Sequence, residues 1–344
     1  MSNLPNYIKK FSQLEIAVIG DLMLDKYIFG SATRISQEAP VPVVCVDSEK
    51  SVPGGAANVA LNVLSLHAKA HVFGVIGEDA AGEELTVLLK KAGAETDGIM
   101  KVPDRATTVK TRIIASRQQV VRVDRENVTD LSKSLQQKIL ESLKARLETS
   151  KLHAIIMEDY AKGVFTPDFM EAIANLAKKY TVPLMLDPHP THPFDVKGIC
   201  MMTPNRQEAF ALVKMPFSKE TGNPLTDQPL LDVGKILKKR WACDIPVITL
   251  GGEGMLIFLE KDSEPIHIPT RAKKVFDVSG AGDTVMAAMT LALLAGATPS
   301  DAAQIANYAA GIVVGIVGTA AIDYDALLSE IESDNILTTY KRKS

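Results

Sequence analysis

Cysteine is scarce in this sequence: Cys45, Cys200 and Cys243 are the only three in 344 residues, far apart and forming no CxxC pair. That excludes a disulfide framework or a paired-cysteine zinc site, and makes a reducing cytoplasm the expected home. Positive charge is not in excess either. Lys and Arg number 38 against 41 Asp and Glu, a net charge of −3, so no nucleic-acid or anionic-membrane partner is expected. Residues 1–11 are polar and lack the apolar stretch of a signal peptide. There is no GxxxxGK[ST] loop, no complete GxGxxG and no GxSxG, which removes the main warrant for P-loop, dinucleotide-fold and common hydrolase readings. Internal repeats and low-complexity linkers are also missing. The longest apolar stretch, 302–322, is interrupted by Gln304, Asn307 and Thr319 and flanked by Asp301 and Asp323. A spanning helix favours a cleaner run with basic flanks, so a buried helix is expected there, with a close backbone approach at Gly311 and Gly315.

What is present suits a sizeable core: 46% of residues are hydrophobic and 23% charged. Short apolar runs at 16–19, 72–76, 154–157, 184–186, 247–250 and 255–259 read as strands. Helical patterns at 56–66, 83–91, 131–147, 167–179 and 233–240 alternate with them. In the third, Leu131, Leu135, Ile139, Leu143 and Leu147 recur every four residues behind the candidate caps Thr129 and Asp130. This alternation predicts an α/β chain, a mostly parallel sheet covered by helices on both faces, binding ligands at the carboxyl ends of its strands. Segments 26–48 and 107–124 break the pattern and are expected to form a small β-sheet lid inserted in a single domain.

Five motifs carry chemistry. Asp277-Val-Ser-Gly-Ala-Gly-Asp283 precedes an apolar helical run at 285–294. Gly280 and Gly282 let the chain turn sharply and expose N–H groups where a helix begins, an anion site suited to phosphate. Asp283 in that first turn makes sense as the base for a hydroxyl attacking the phosphate, although a glycine turn with a capping aspartate reads the same way. Pro53-Gly-Gly-Ala-Ala-Asn58 opens a second helix. Gly54 and Gly55 would admit a flat ligand ring and Asn58 would pair with hydroxyls, or the segment is a tight turn. Asp25 follows the first strand, where a carboxylate accepts hydroxyl hydrogen bonds or is simply solvated. Asn205 and Glu208 share a helix face and could converge on hydrated Mg²⁺, or form a capping box. Thr249 to Gly254 is a hairpin or a loop beside a nucleotide. Asp187, His189 and His192 are conceivable metal ligands, but prolines at 188, 190 and 193 break up their display.

Together these motifs resemble the ribokinase-like (PfkB-type) carbohydrate kinases over residues 14–330. The resemblance implies a central sheet flanked by helices with a β-lid, and ATP and Mg²⁺ as cofactors. It makes Asp283 the catalytic base and Gly280, Ala281 and Gly282 the anion hole. Asp25, Gly54, Gly55 and Asn58 would hold the sugar. Asn205, Arg206, Gln207 and Glu208 would serve ATP, with Asn205 and Glu208 reaching the metal through water. Thr249, Gly251, Gly254 and Asn307 would line the nucleotide cleft.

Within the family, Arg34-Ile-Ser-Gln-Glu-Ala-Pro-Val-Pro-Val, Asp159-Tyr-Ala-Lys-Gly and Ala309-Ala-Gly-Ile-Val-Val-Gly are similar to the kinase half of bacterial heptose synthesis proteins. That similarity implies phosphorylation of D-glycero-β-D-manno-heptose 7-phosphate to the 1,7-bisphosphate, on the route to ADP-heptose and lipopolysaccharide. A phosphorylated acceptor needs cations, and Lys110, Arg112, Arg117, Arg122 and Lys162 are the candidates. Three departures stand out. Ser279 replaces a usual Thr, Asp187-Pro-His-Pro replaces an expected Asp-Pro-Lys-Gly, and no HxGH motif occurs. A fused adenylyltransferase is therefore expected to be absent. A homodimer through the lid is also expected. The rival readings are a kinase for another sugar or nucleoside and a catalytically silent nucleotide-binding regulator.

Overall fold

Fully buried parallel strands read as continuous apolar runs because helices cover both faces, and the strand at 16–19 shows this directly. Ile16 and Val18 pack into the core on one side of the sheet, and Ala17 and Ile19 into the core on the other. Each such large side chain contributes roughly 1.5–3 kcal/mol by leaving water. A computed structural model describes residues 3–341 apart from 117, 193, 260–263, 273, 274 and 317, with side chains described to residue 334. Arg117 and Pro193 thus lie outside the described residues.

The chain runs α1 (Leu4–Ile8), β1 (Glu15–Gly20), β2 (Leu22–Ile35), β3 (Pro42–Gly55), α2 (Ala56–Ser65), β4 (Lys69–Gly77) and α3 (Ala80–Lys91). It continues through β5 (Glu95–Val102), β6 (Thr108–Ala115), β7 (Gln118–Arg125), α4 (Lys133–Thr149), β8 (Ala154–Glu158), α5 (Pro167–Lys179) and β9 (Leu184–Asp187). Then come β10 (Met201–Met202), α6 (Arg206–Leu212), α7 (Gln228–Trp241), β11 (Ile245–Thr249), β12 (Met255–Ile257) and β13 (Ile266–Ile268). Helices α8 (Ala281–Leu294), α9 (Pro299–Val313) and α10 (Tyr324–Lys341) close it.

Among the described residues one sheet has nine strands, ordered β13-β12-β11-β10-β9-β8-β1-β4-β5. All neighbours are parallel except the β11–β12 and β12–β13 pairs. The second sheet, ordered β3-β2-β6-β7, is the lid. Its strands fall on the two segments that broke the strand–helix alternation. Three strands were not legible: β5 opens with the polar residues Glu95, Thr96 and Asp97 and has no continuous apolar run, and β10 and β13 are two and three residues long.

Several helix boundaries differ from expectation; α7, for one, starts at Gln228 rather than 233, with Asp227 as its cap. Helix α4 starts later than Thr129 or Asp130, because the Leu131 N–H donates to the Gly163 carbonyl and Ser132 caps the helix, accepting from Leu135 N. The 302–322 segment is helical only to Val313, and of its two glycines Gly311 lies in the helix, against the backbone of Arg271 and Ala272. Among the described residues no helix is long and apolar enough to cross a membrane.

Candidate active site

The parallel strands deliver their carboxyl ends to one edge of the large sheet. Strand β1 leads into Asp21. In the register of β1, β8 and β9, Gly20 pairs with Glu158, which in turn pairs with Asp187. Against this edge stands the amino terminus of α8. Gly280 caps that helix with φ +80, a conformation disfavoured for residues with a Cβ, and a Cβ there would stand 2.7 Å from Asn58 Nδ2. The Asp277 carboxylate shapes the turn by accepting from Ser279 N at 2.9 Å and Gly318 N at 3.1 Å. No atom lies within 4 Å of where a Gly282 side chain would begin, so that side of the helix start is open. Ala281 departs from the expected anion hole: its N–H donates to the Val278 carbonyl within the turn.

Asp283 occupies the third position of α8 and is 6% exposed. Asn58 donates to its Oδ2 at 2.6 Å and the Tyr160 hydroxyl to its Oδ1 at 2.5 Å. Asn62 holds α2 against α8 and so places Asn58, since its Oδ1 accepts from Thr284 Oγ1 at 3.0 Å and from Ile322 N at 3.1 Å. Burial pushes the Asp283 carboxyl above the ordinary carboxylate range, while the Tyr160 and Asn58 bonds oppose that rise.

Beside it, Glu158, Asp187 and Asp283 bring carboxylate oxygens within 4.8 Å of one another. Glu158 is fully buried, and neither of its oxygens has a protein partner. Burial, then the neighbouring Asp187 and Asp283 charges, pushes Glu158 well above its usual range; Asp187 is raised by burial and by Glu208. Three acidic groups this close repel unless protonated or joined by a cation, and an all-oxygen donor set suits a hard divalent ion such as Mg²⁺. The partnerless Glu158 oxygens therefore fit such an ion. Asn205 and Glu208 instead form the capping box of α6, with Asn205 Oδ1 accepting from Glu208 N and Glu208 Oε2 from Asn205 N. The histidine alternative does not assemble: His192 pairs with Asp159 at 3.1 Å and His189 bonds Thr191.

Residues 13–326 match the family described as pfkB family carbohydrate kinase. The chain belongs to that family.

It is 41% identical over 318 residues to the bifunctional protein HldE of Gluconobacter oxydans, covering 92% of this chain and 64% of that one. It is 38% identical over 319 residues to the bifunctional protein HldE of Geotalea uraniireducens, covering 93% and 63%. The chain thus spans less than two thirds of these relatives. Arabidopsis thaliana ribokinase, solved with ribose and ATP, shares the fold at TM-score 0.68 and 20% identity, covering 92% of this chain and 97% of that one. Escherichia coli phosphofructokinase-2, solved with substrates and products, does so at TM-score 0.74 and 18% identity, with the same coverage. The chain is thus a pfkB-family carbohydrate kinase by family and ribokinase-like by fold.

The kinase's other expected site residues are distributed unevenly. Asp25 is 5% exposed, accepts from Arg112 Nη1 at 2.6 Å and from Thr319 Oγ1 at 3.3 Å, and lies against Gly54, where a Cβ would come within 2.6 Å of its Oδ2. Gly54 and Gly55 thus pack on Asp25 and Met23, and it is the protein's own side chains that the missing Cβ atoms accommodate. Thr249 ends β11 and bridges to Asn205, and Gly251 is exposed beside them. Gly254 backs onto the Ile268 carbonyl, and Asn307 is buried with its amide donating to the Pro269 carbonyl at 2.7 Å; both brace β13. Gln207 is exposed on α6. Arg206 is turned away from the exposed side of α6. Its buried guanidinium pairs with Asp227 and donates through Nε and Nη2 to the Ser218 and Lys219 carbonyls, so it staples a loop and keeps only a buried Nη1 without a partner.

On the lid, register places three expected cations together. Arg122 sits opposite Arg112, Asp124 opposite Lys110, and Lys110 and Arg112 pair with Asp25 and Tyr27 of β2. Residues directly opposite one another share a face, so Lys110, Arg112 and Arg122 stand on the Asp25 face. Asp124 pairs with Lys110 at 3.6 Å and Arg122 at 2.9 Å, and Lys162 with Glu126 at 2.8 Å. Sequence reasoning passed over Glu158 and the chemistry of Tyr160. Strand ends carry no fixed spacing, and the one signal for the latter was Asp159-Tyr-Ala-Lys-Gly.

Proposed function

We propose that the chain transfers the γ-phosphoryl group of ATP to the anomeric hydroxyl of D-glycero-β-D-manno-heptose 7-phosphate, giving the 1,7-bisphosphate and ADP for ADP-heptose and lipopolysaccharide synthesis. The observation that carries this reading is the basic lid face. A sugar phosphate brings a charge of about −2 at neutral pH, and Lys110, Arg112 and Arg122 share the face that presents Asp25, whereas a neutral sugar needs no cation. Asp25 and Asn58 hold sugar hydroxyls. Asp283 takes the proton of the attacking hydroxyl as its oxygen bonds to the γ-phosphorus and the bond to the ADP oxygen breaks. Gly280 and Gly282 N–H groups at the positive end of α8 steady the transferring phosphoryl oxygens. Glu158 and Asp187 would hold Mg²⁺, with Glu208 nearby. Bound there, the ion neutralises phosphate charge.

The test compares heptose 7-phosphate with unphosphorylated heptose, fructose 6-phosphate and ribose, in wild type and in alanine variants of Lys110, Arg112, Arg122 and Lys162. Loss of a charge-assisted contact at Lys110, Arg122 or Lys162 should lower kcat/KM roughly 10- to 150-fold for the phosphorylated sugar alone. Arg112→Ala also strands Asp25 and should weaken every sugar. A neutral sugar as best substrate would leave only the broader sugar-kinase reading.

A homodimer through the lid is part of the proposal. Ile28, Ile113 and Val121 are register partners across three lid strands on the face away from the cations, and Val41, Val46 and Val123 are more than half exposed. Such a surface on a sheet with open edges favours pairing. Light scattering that gave a monomer at micromolar concentration would refute it.

A further inference from the structure

The loop after β8 carries a hydroxyl that none of the phosphoryl-transfer roles above uses. Tyr160 is half-buried, and its Oη donates to Asp283 Oδ1 at 2.5 Å while Asn58 Nδ2 donates to Oδ2 at 2.6 Å. A carboxylate turns about a broad, two-fold terminal torsion, and one donor on each oxygen removes that freedom. The loop bearing Tyr160 is itself anchored. Asp21, 2% exposed at the end of β1, accepts from Tyr160 N at 2.8 Å, Lys162 N at 3.1 Å and Val164 N at 3.3 Å. Asp159 adds a bond from Ala161 N at 2.8 Å. The two neighbours of β8 in the sheet are β1, which leads into Asp21, and β9, which ends at Asp187, so the tyrosine stands on a backbone braced by the central strands.

We infer that Tyr160 is a positioning residue for phosphoryl transfer: its hydroxyl locks the Asp283 carboxylate in the rotamer that faces the acceptor hydroxyl. The inference rests on the reading of Asp283 as the base. A base that must meet a hydroxyl within hydrogen-bond distance loses rate steeply when it turns away, and a misplacement of about 1 Å can cost on the order of 100-fold. Asn58 shares the task but also faces the sugar, so its loss would disturb binding as well. Tyr160 acts through Asp283, and its loss should show in kcat alone.

The experiment measures ADP release and single-turnover rates for wild type, Tyr160→Phe, Asp283→Asn and the double variant, with ATP and whichever sugar of the panel reacts fastest. Phenylalanine keeps the ring and removes only the hydroxyl. Tyr160→Phe should lower kcat by roughly 10- to 100-fold, leave both KM values within about twofold and keep the melting temperature. Added to Asp283→Asn it should have no further effect, since the two act as a unit. A wild-type kcat in Tyr160→Phe would overturn the inference. So would a raised sugar KM at unchanged kcat, which makes the residue a substrate contact, or multiplying losses in the double variant, which make it act independently. If Asp283→Asn itself keeps wild-type kcat, the base reading falls and takes this inference with it, a result separable from the others by that single variant.

Discussion

Replacing Asp283 with Asn isolates the base from the architecture around it. Asn has the same shape, and the two hydrogen bonds can persist: its carbonyl accepts from Asn58 Nδ2, and its amide donates to a Tyr160 hydroxyl turned to accept. The helix start, the Gly280 turn and the Asn62 link between α2 and α8 are untouched. Nor should the fold weaken. The folded-state pKa of Asp283 is raised, so its ionised form costs stability at pH above that pKa, and a neutral amide removes the cost. What disappears is proton acceptance. General-base terms are worth about 10²–10⁴ in rate, or roughly 2.7–5.4 kcal/mol of barrier at 1.36 kcal/mol per tenfold. The assay is a single-turnover measurement with saturating ATP and sugar, which separates chemistry from product release, beside a nucleotide titration and a thermal melt. The expected result is a kcat reduced by at least 10²-fold with ATP affinity and melting temperature held. A variant retaining more than about a tenth of the wild-type single-turnover rate would refute the reasoning.

The pH dependence follows from the same group. Asp283 must be unprotonated to act, and burial raises its pKa, so kcat/KM should fall with decreasing pH on a limb displaced above the ordinary Asp value of about 3.9; a limb at that value would contradict the burial argument. Glu158→Gln removes a buried carboxyl that has no protein partner and whose folded-state pKa is raised, so above the ordinary Glu range the metal-free protein should melt higher, while the Mg²⁺ concentration for half-maximal activity rises at least about tenfold. An unchanged Mg²⁺ requirement would place the ion elsewhere. Arg206→Ala strands Asp227 as a buried charge and should destabilise by about 3–5 kcal/mol in denaturant titrations. KM for ATP should hold in the surviving folded protein, and a selective rise would restore Arg206 to the nucleotide site.

Local patterns in the sequence carried a good deal. The apolar runs of β1, β4, β8 and β9 were legible because strands buried on both faces have no polar positions to confuse them. The glycine turn before Asp283 was legible because phosphate binding at a helix start needs those residues in consecutive order. The lid segments were visible as interruptions of the alternation, although nothing in one strand says which face meets the site. Register decided that, setting Arg122 opposite Arg112 and both on the Asp25 side. Tertiary structure alone decided the acidic cluster. Glu158, Asp187 and Asp283 come from two strand ends and a helix start, and only the alignment of β8 with β9 and the docking of α8 bring their oxygens within 4.8 Å. Arg206 shows the opposite limit. It sits inside a motif that reads as nucleotide-binding, yet its side chain leaves the helix toward Asp227, 21 positions along the chain. A motif states which backbone positions stand together; where a long side chain goes is set by the partner that best offsets its desolvation, and that partner is chosen by the fold.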